Sequence, residues 1–321
     1  MKLRRPPGRG RAAPPRHQPH LHAALLRYLS EIAQLGSIRR AAASLNVASS
    51  AINRQVLRFE RELGVRIFDR MPSGMRPTPA GELLLRHVRA TLQNFDRLLA
   101  DMDGLQGILS GHVTLAALDS LLVELVPQAL GDVARRYPAI TFSALAASPA
   151  AVLSGVAAGD MDLGLSFVVP TVPSLQLVAS MEAPLGCLMA PTHELASRKS
   201  LTLADLDGYE MSLQSQSLPA ATDALDAFGK FHRAADARFR SNSVEFQRRI
   251  LRTGLGIACL TQLGFQREIA SGELVWVPLA SPSFERLQIG LFIPANRMLS
   301  PAASQVVATL TRILGKTGVE A

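Results

Sequence analysis

The sequence predicts an α+β multidomain protein: an N-terminal winged helix-turn-helix, one long helix, and a C-terminal two-lobed α/β domain. Three observations carry this reading. SIRRAAASLNVASSAINRQVLRFE, from Ser37 to Glu60, reads as two helices around a tight turn, and an apolar seam at near-heptad spacing follows from Leu84 to Met102. Beyond Gly111, nine short apolar runs alternate with helical segments. With 321 residues the chain is long enough for two or three separate cores.

Residues 1–20 hold six basic groups, no acidic ones and little to bury, and are expected to be a disordered basic tail. The winged helix-turn-helix domain is expected over 21–78. Leu25, Leu26, Leu29 and Ile32 mark an amphipathic helix that packs beneath the helix pair. Ser37 can cap the first helix of the pair, and Ala41, Ala42 and Ala43 keep it thin enough for a close crossing. Asn46, Val47 and Ala48 form the turn.

On the second helix Ile52, Val56, Phe59 and Leu63 recur at steps of four, three and four, which assigns them to one buried stripe. Ser49, Ser50, Asn53 and Arg54 fall on the opposite side, near the N-terminal end, where a helix laid in a major groove brings side chains to base edges. The alternative is an ordinary helical hairpin in an all-α core. Charge placement favours the first reading: residues 1–90 carry 17 Lys+Arg against 5 Asp+Glu, whereas the other 231 carry 17 against 21. A polyanion is therefore the natural partner of that end.

After the Leu63-Gly64 helix stop, VRIFDRMPSGMRPT alternates on either side of Ser73-Gly74 as a small hairpin, the wing, with Arg66, Arg70 and Arg76 along it. These arginines, with Arg39 and Arg58, are candidates for phosphate contacts flanking the groove. Thr78 and Pro79 then start a linker helix, expected over 79–109, whose seam of Leu84, Val88, Leu92, Phe95, Leu99 and Met102 suits pairing with a second copy, packing on the chain's own C-terminal domain being the alternative. Gly104, Gly107 and Gly111 end it and open a hinge.

The remainder, 110–321, reads as α/β with mainly parallel sheets in two lobes. Crossings near VVPTVPS and after Thr261 divide it into lobe I, about 110–167 and 267–321, and lobe II, about 168–266. In such sheets ligands bind beyond the carboxyl ends of strands, where helix N-termini favour anions. Ser120 and Ser148 stand at two such junctions, each with an N-cap role as its plain alternative, and Gln214 and Ser215 are candidates from the opposite lobe.

Enzyme signatures are poor. Gly254-Leu-Gly256 lacks a third glycine and precedes a strand, and no Gly-x-Ser-x-Gly, Walker or HExxH pattern occurs, so no catalytic residue and no cofactor is expected. Cys187 and Cys259 lie in apolar runs and read as buried thiols on strands, a redox pair being the alternative. His17, His20 and His22 lack carboxylate or thiol companions, so no metal site is expected. Without an apolar signal segment or an 18-residue apolar window, the chain is expected in the cytoplasm, with no membrane partner.

With these residues in hand, the chain resembles the LysR-type transcriptional regulators along nearly its whole length after residue 20. GSIRRAAASLNVASSAINRQVLRFERELGVRIFDR followed by TPAGELLL is similar to that family's winged helix-turn-helix and linker helix. ARRYPAI, GDMDLGL and RTGLGIACL are similar to its effector domain. The resemblance implies a C-terminal fold of periplasmic-binding-protein type II, double-stranded operator DNA and a small, often anionic effector as partners, a homodimer or homotetramer, and RNA polymerase as a further candidate. It places base reading at Ser49, Asn53 and Arg54, phosphate contacts at Arg39, Arg70 and Arg76, and effector contacts at Ser120, seven residues before Pro127, and at Ser148. A cytoplasmic small-molecule-binding protein without gene control, and an enzyme built on the two-lobed domain, are the rival functions.

The sequence departs from the family pattern at four places: Ala48 where a serine cap is usual, Ser49 where glutamine is frequent, Asn53 where serine is commoner, and Thr261 where proline usually follows the strand. Asparagine can bond adenine bidentately. Asn53→Ser is therefore expected to change the base preference measured by selection from a randomised DNA library, and an unchanged preference would contradict a reading role for this residue.

Overall fold

The structure, a computed structural model, describes residues 24–72, 74–105, 109–169, 172–214, 229–231 and 237–317. The expected basic tail 1–20, Gly107 and Ser215 lie outside them. The chain divides between Leu92 and Gln93 into two compact units.

In the first unit α1 (Ala24–Leu35), α2 (Ile38–Ser44) and α3 (Ser49–Leu63) precede the hairpin β1 (Phe68–Met71) and β2 (Gly74–Pro77). Ser37 caps α2, its hydroxyl accepting from Arg40 N, and Asn46 makes the turn in the left-handed region at φ 53°. Ala48 is the N-cap of α3 and makes no side-chain cap bond, as its lack of a polar group requires. Ile52 and Val56 are buried with Leu29, Ile32, Ala41 and Ala42. The expected stripe is shorter than its periodicity: Phe59 is half-buried and Leu63 is 46% exposed, because the apolar cluster beneath α3 reaches Phe59 but not Leu63.

The wing is tied to the helices at both ends. Glu60 Oε1 on α3 accepts from Ile67 N at 2.7 Å and Phe68 N at 3.2 Å, and Met75 N donates to Gly36 O at 2.8 Å. At Gly74, φ 132°, a Cβ would stand 2.4 Å from Gly36 O, so this approach requires glycine.

The linker helix α4 (Pro79–Leu105) begins where expected, with Gly81 N donating to Thr78 Oγ1 at 3.0 Å. Its seam has a different use in its first half. Val88 and Leu85 are fully buried in the core of the helix pair, with Leu84 and Leu92 packed against them. Among the described residues of α4, Leu83, Leu98 and Met102 are the large apolar side chains that are exposed. Gly104 lies inside α4 instead of ending it.

In the second unit, β3 (Gly111–Ala117), β4 (Ile140–Ala146), β5 (Leu163–Phe167), β6 (Leu175–Glu182) and β12 (Gln288–Pro294) form one sheet in the order β4-β3-β5-β12-β6. Helices α5 (Leu125–Arg136), α6 (Pro149–Ala158) and α10 (Pro301–Thr317) pack on it. This is lobe I. Lobe II holds the sheet β10-β7-β11 (Ala258–Thr261, Leu185–Met189, Val275–Pro278) and the pair β8 (Met211–Gln214) with β9 (Ala237–Ser241), linked by the bridge Met211–Ile257. Its helices include α7 (Val244–Arg252) and α8 (Gln266–Ala270); α9 (Pro282–Glu285) precedes β12 on the return to lobe I.

All nine expected strands form, and one more, β6, was not expected. Its pairing with β12 keeps residues 175–182 in lobe I, so the outward crossing lies at Ala183-Pro184 instead of near 168. Likewise β11 pairs with β7, so the return lies past Pro278 instead of after Thr261. The sheets are mixed: β3 runs parallel to β4 and β5, whereas β12 is antiparallel to β5 and β6, and β7 to β10 and β11. β6 leads the chain out of lobe I and β12 brings it back, so the two run in opposite directions, and β5, on the other side of β12, is antiparallel to it as well.

Cys187 and Cys259 face each other across β7 and β10 as free thiols, Sγ to Sγ 3.2 Å. The contact with Cys187, and then burial, holds the Cys259 thiol well above the usual range, which leaves it a weak nucleophile.

Ile52→Ala, at a fully buried position, is expected to destabilise the N-terminal unit by about 2–5 kcal/mol in urea unfolding. Leu63→Ala is expected to cost under about 1 kcal/mol; comparable losses would contradict the shortened stripe.

Candidate nucleic-acid interface and effector cleft

The exposed side of α3 is organised by its own buried stripe. With Ile52 and Val56 turned inward, Ser50 and Arg54 are exposed and Ser49 and Asn53 half-buried at the edge of the same face. Arg70 Nη2, from β1, donates to Asn53 Oδ1 at 2.7 Å, which brings the wing and the helix together at this face. The side chains of Arg39, Arg54 and Arg76 are exposed and have no hydrogen-bond or ion-pair partner among the described residues. Arg58 is engaged: its Nε pairs with Glu62 Oε1 one turn on at 2.7 Å, in the open. Ser37 is half-buried and used as a cap.

In the second unit, the expected N-caps divide. Ser148 caps α6, accepting from Ala151 N at 3.2 Å, with Pro149 in the first turn. Ser120 does not cap a helix. It lies within a 3₁₀ turn, Asp119–Leu122, whose N-cap is Leu118, because the chain tightens there before α5 begins.

The neighbouring Asp119 is the residue with the longer reach. Its Oδ2 accepts from Val244 N at 2.6 Å, so a lobe I carboxylate sits on the N-terminus of α7 in lobe II. Ser243 Oγ caps the same helix by accepting from Phe246 N. Two further contacts join the lobes beside it. Arg267 Nε pairs with Glu124 Oε1 at 2.7 Å, and Gly264, φ 83°, lies so close to the Ser120 backbone that a Cβ would stand 2.9 Å from Ser120 O.

Helix α7 is held in place from behind. Gln247, fully buried, donates through Nε2 to Leu213 O at 3.0 Å and accepts from Ser212 Oγ at 2.5 Å, which ties α7 to β8, the strand that ends at Gln214. Arg248 donates to Gly264 O at 2.6 Å and pairs with Glu268 at 2.9 Å, anchoring the loop that touches Ser120. The sequence pointed to Ser120 at this junction and not to the adjacent Asp119, and Ser243, Gly264 and Arg267 were not among its candidates. Asn242-Ser243 ahead of the amphipathic VEFQRRILR was the available signal. A separate apolar groove of about 470 Å³, lined by Leu145, Ala147, Ala151, Gly155 and Met161, lies within lobe I and includes neither Ser120 nor Ser148.

Comparison with known proteins agrees with this division. Residues 23–82 match the model of the bacterial regulatory helix-turn-helix protein, lysR family, and residues 106–314 match the LysR substrate binding domain. The chain belongs to the LysR family: it is a DNA-binding transcriptional regulator with an effector-binding domain.

Its relatives include the HTH-type transcriptional regulator YybE of Bacillus subtilis, 26% identical over 87% of this chain and 94% of that protein. A probable RuBisCO transcriptional regulator of Porphyra purpurea is 28% identical over 89% and 92%. Among solved structures, a full-length OxyR variant from Pseudomonas aeruginosa superposes with TM-score 0.65 at 20% identity over 92% of this chain and 99% of that one. CbnR in complex with its target DNA gives 0.57 at 19% identity over 90% and 98%. At these identities the structures support the fold. Among the described residues no helix is long and apolar enough to cross a membrane.

Asp119→Ala removes a charged acceptor from a helix N-terminus and is expected to destabilise the C-terminal unit by about 1–2 kcal/mol. Ser120→Ala is expected to stay within about 0.5 kcal/mol. Urea unfolding of both variants checks this; equal effects would mean that the interlobe bond carries no stability.

Proposed function

We propose that this regulator reads its operator with Ser49, Ser50, Asn53 and Arg54, positions itself on the duplex with Ser37, Arg39, Arg58, Arg70 and Arg76, and is controlled by a small anionic metabolite between the lobes. The observation that carries the first part is the exposed Arg54 face of α3 directly opposite buried Ile52 and Val56. Exposed arginines on α2, α3 and the wing would supply counter-charge for phosphates on both sides of such a helix.

A homo-oligomer fits the exposed Leu83, Leu98 and Met102 of α4, and two copies would place two reading heads on two half-sites.

Two helix N-termini support an anionic effector, that of α6 under Ser148 and that of α7 under Ser243. The second already holds a carboxylate, that of Asp119, which favours the view that a ligand anion suits this surface. Ser120, Ser148 and Gln214 are the proposed ligand contacts, with Ser215 as the neighbouring position. Ligand-dependent closure of the lobes is the two-state element through which DNA affinity or geometry would change.

Electrophoretic shifts with the protein's own promoter region test the reading head. Arg54→Ala is expected to lower specific affinity on the order of tenfold to a hundredfold, and affinity is expected to fall steeply with salt. Intact affinity and sequence preference in this variant would refute it. For the effector, a thermal-shift screen of small carboxylates is expected to yield stabilisers whose effect Ser148→Ala reduces. Stabilisation unchanged in that variant would remove Ser148 from the site.

A further inference from the structure

We propose that Asn53 and Arg70 act as one specificity-determining unit, in which the wing arginine converts the asparagine from an adenine reader into a donor-only reader that selects guanine. The inference rests on the reading of α3 given above and deepens it, giving Arg70 a part in base reading in place of a phosphate contact. Arg70 Nη2 stands 2.7 Å from Asn53 Oδ1, with the two residues 17 positions apart in the chain. Arginine has donors only, so the partner atom must be the amide oxygen, and the orientation of the Asn53 amide follows from chemistry. The bond is charge-assisted and therefore among the stronger exposed ones.

The consequence lies in what Asn53 has left to offer. Adenine is recognised when asparagine accepts from N6–H and donates to N7. With Oδ1 already accepting from a cation, its remaining acceptor capacity is weakened and redirected, while Nδ2 keeps both hydrogens. The adjacent guanidinium adds further donors on the same side. The pair thus presents an all-donor edge. Guanine offers two acceptors, N7 and O6, in the major groove, and is the base whose edge matches it most fully.

Two arrangements on the page hold the pair together. The wing is fixed to α3 by Glu60, whose carboxylate accepts from the backbone at the start of β1, two residues before Arg70. Arg70 also sits opposite Met75, whose amide is bonded to Gly36, so the hairpin is tied to the turn after α1 as well. The alternative role, a phosphate contact by Arg70 alone, makes a different prediction because phosphate contacts carry no sequence information.

Selection from a randomised DNA library with wild type, Arg70→Ala, Asn53→Ala and the double variant separates them. Both positions lie at the surface, and unchanged thermal melting of each variant confirms folding. The wild type is expected to show a guanine-preferring column that Asn53→Ala flattens, and Arg70→Ala is expected to alter that same column, with adenine rising at least threefold. On the best wild-type site the double variant is expected to bind no more than about twofold worse than the weaker single variant. If Arg70→Ala weakens binding to all sequences alike and leaves every column unchanged, or if the wild-type column at this position already prefers adenine, the inference is overturned. A wild type that selects no sequence at all would instead refute the functional reading on which it stands.

Discussion

The burial of Ile52 and Val56 against Leu29, Ile32, Ala41 and Ala42 is the constraint on which the N-terminal unit depends. At 3.6 residues per turn, fixing that stripe fixes the opposite face. Arg54 cannot be turned inward without exposing two fully packed aliphatic side chains. The wing then inherits its position from α3 through Glu60, and from α1 and α2 through Gly36 and Gly74. Arg70 meets Asn53 because of these backbone ties, and the surface that can face a duplex is a consequence of core packing.

The second unit uses the same physics, a charge at a helix terminus, for a different end. Lobes I and II meet at Asp119 on the α7 N-terminus, at Glu124 with Arg267, and at the close approach of Gly264 to Ser120. Behind this contact α7 is held by the buried Gln247 and by Arg248, so a change in its N-terminal partner would be felt by β8 and by the 264–267 loop together. Under the proposed control by an anion, the ligand would compete with Asp119 for the donors at the α7 N-terminus.

Much of this was legible in the residues because it is local. Helical periodicity located the Ile52 and Val56 stripe, Thr78-Pro79 located the start of α4, and apolar runs located nine strands. What escaped was long-range or only partly apolar. Strand β6 has mostly exposed or half-buried side chains, so LQLVASME carried no continuous apolar run, and the lobe boundary was drawn too early. Leu63 kept the period of the stripe but lies beyond the helices that would cover it. The first half of the α4 seam found its partner in the helix pair, which no pattern within α4 reveals. The Asn53–Arg70 and Asp119–Val244 bonds join residues 17 and 125 apart, and neither has a sequence signature.

On the proposed reading, the polar face of α3 touches bases while α1 stays away from them. The most direct measurement is site-specific photo-cross-linking to operator DNA from a photoreactive amino acid placed at position 54 and, separately, at position 34 on α1, where Gln34 is exposed. Efficient cross-links to bases within one half-site are expected from position 54 and none from position 34. Cross-links from 34 without any from 54 would contradict this reading.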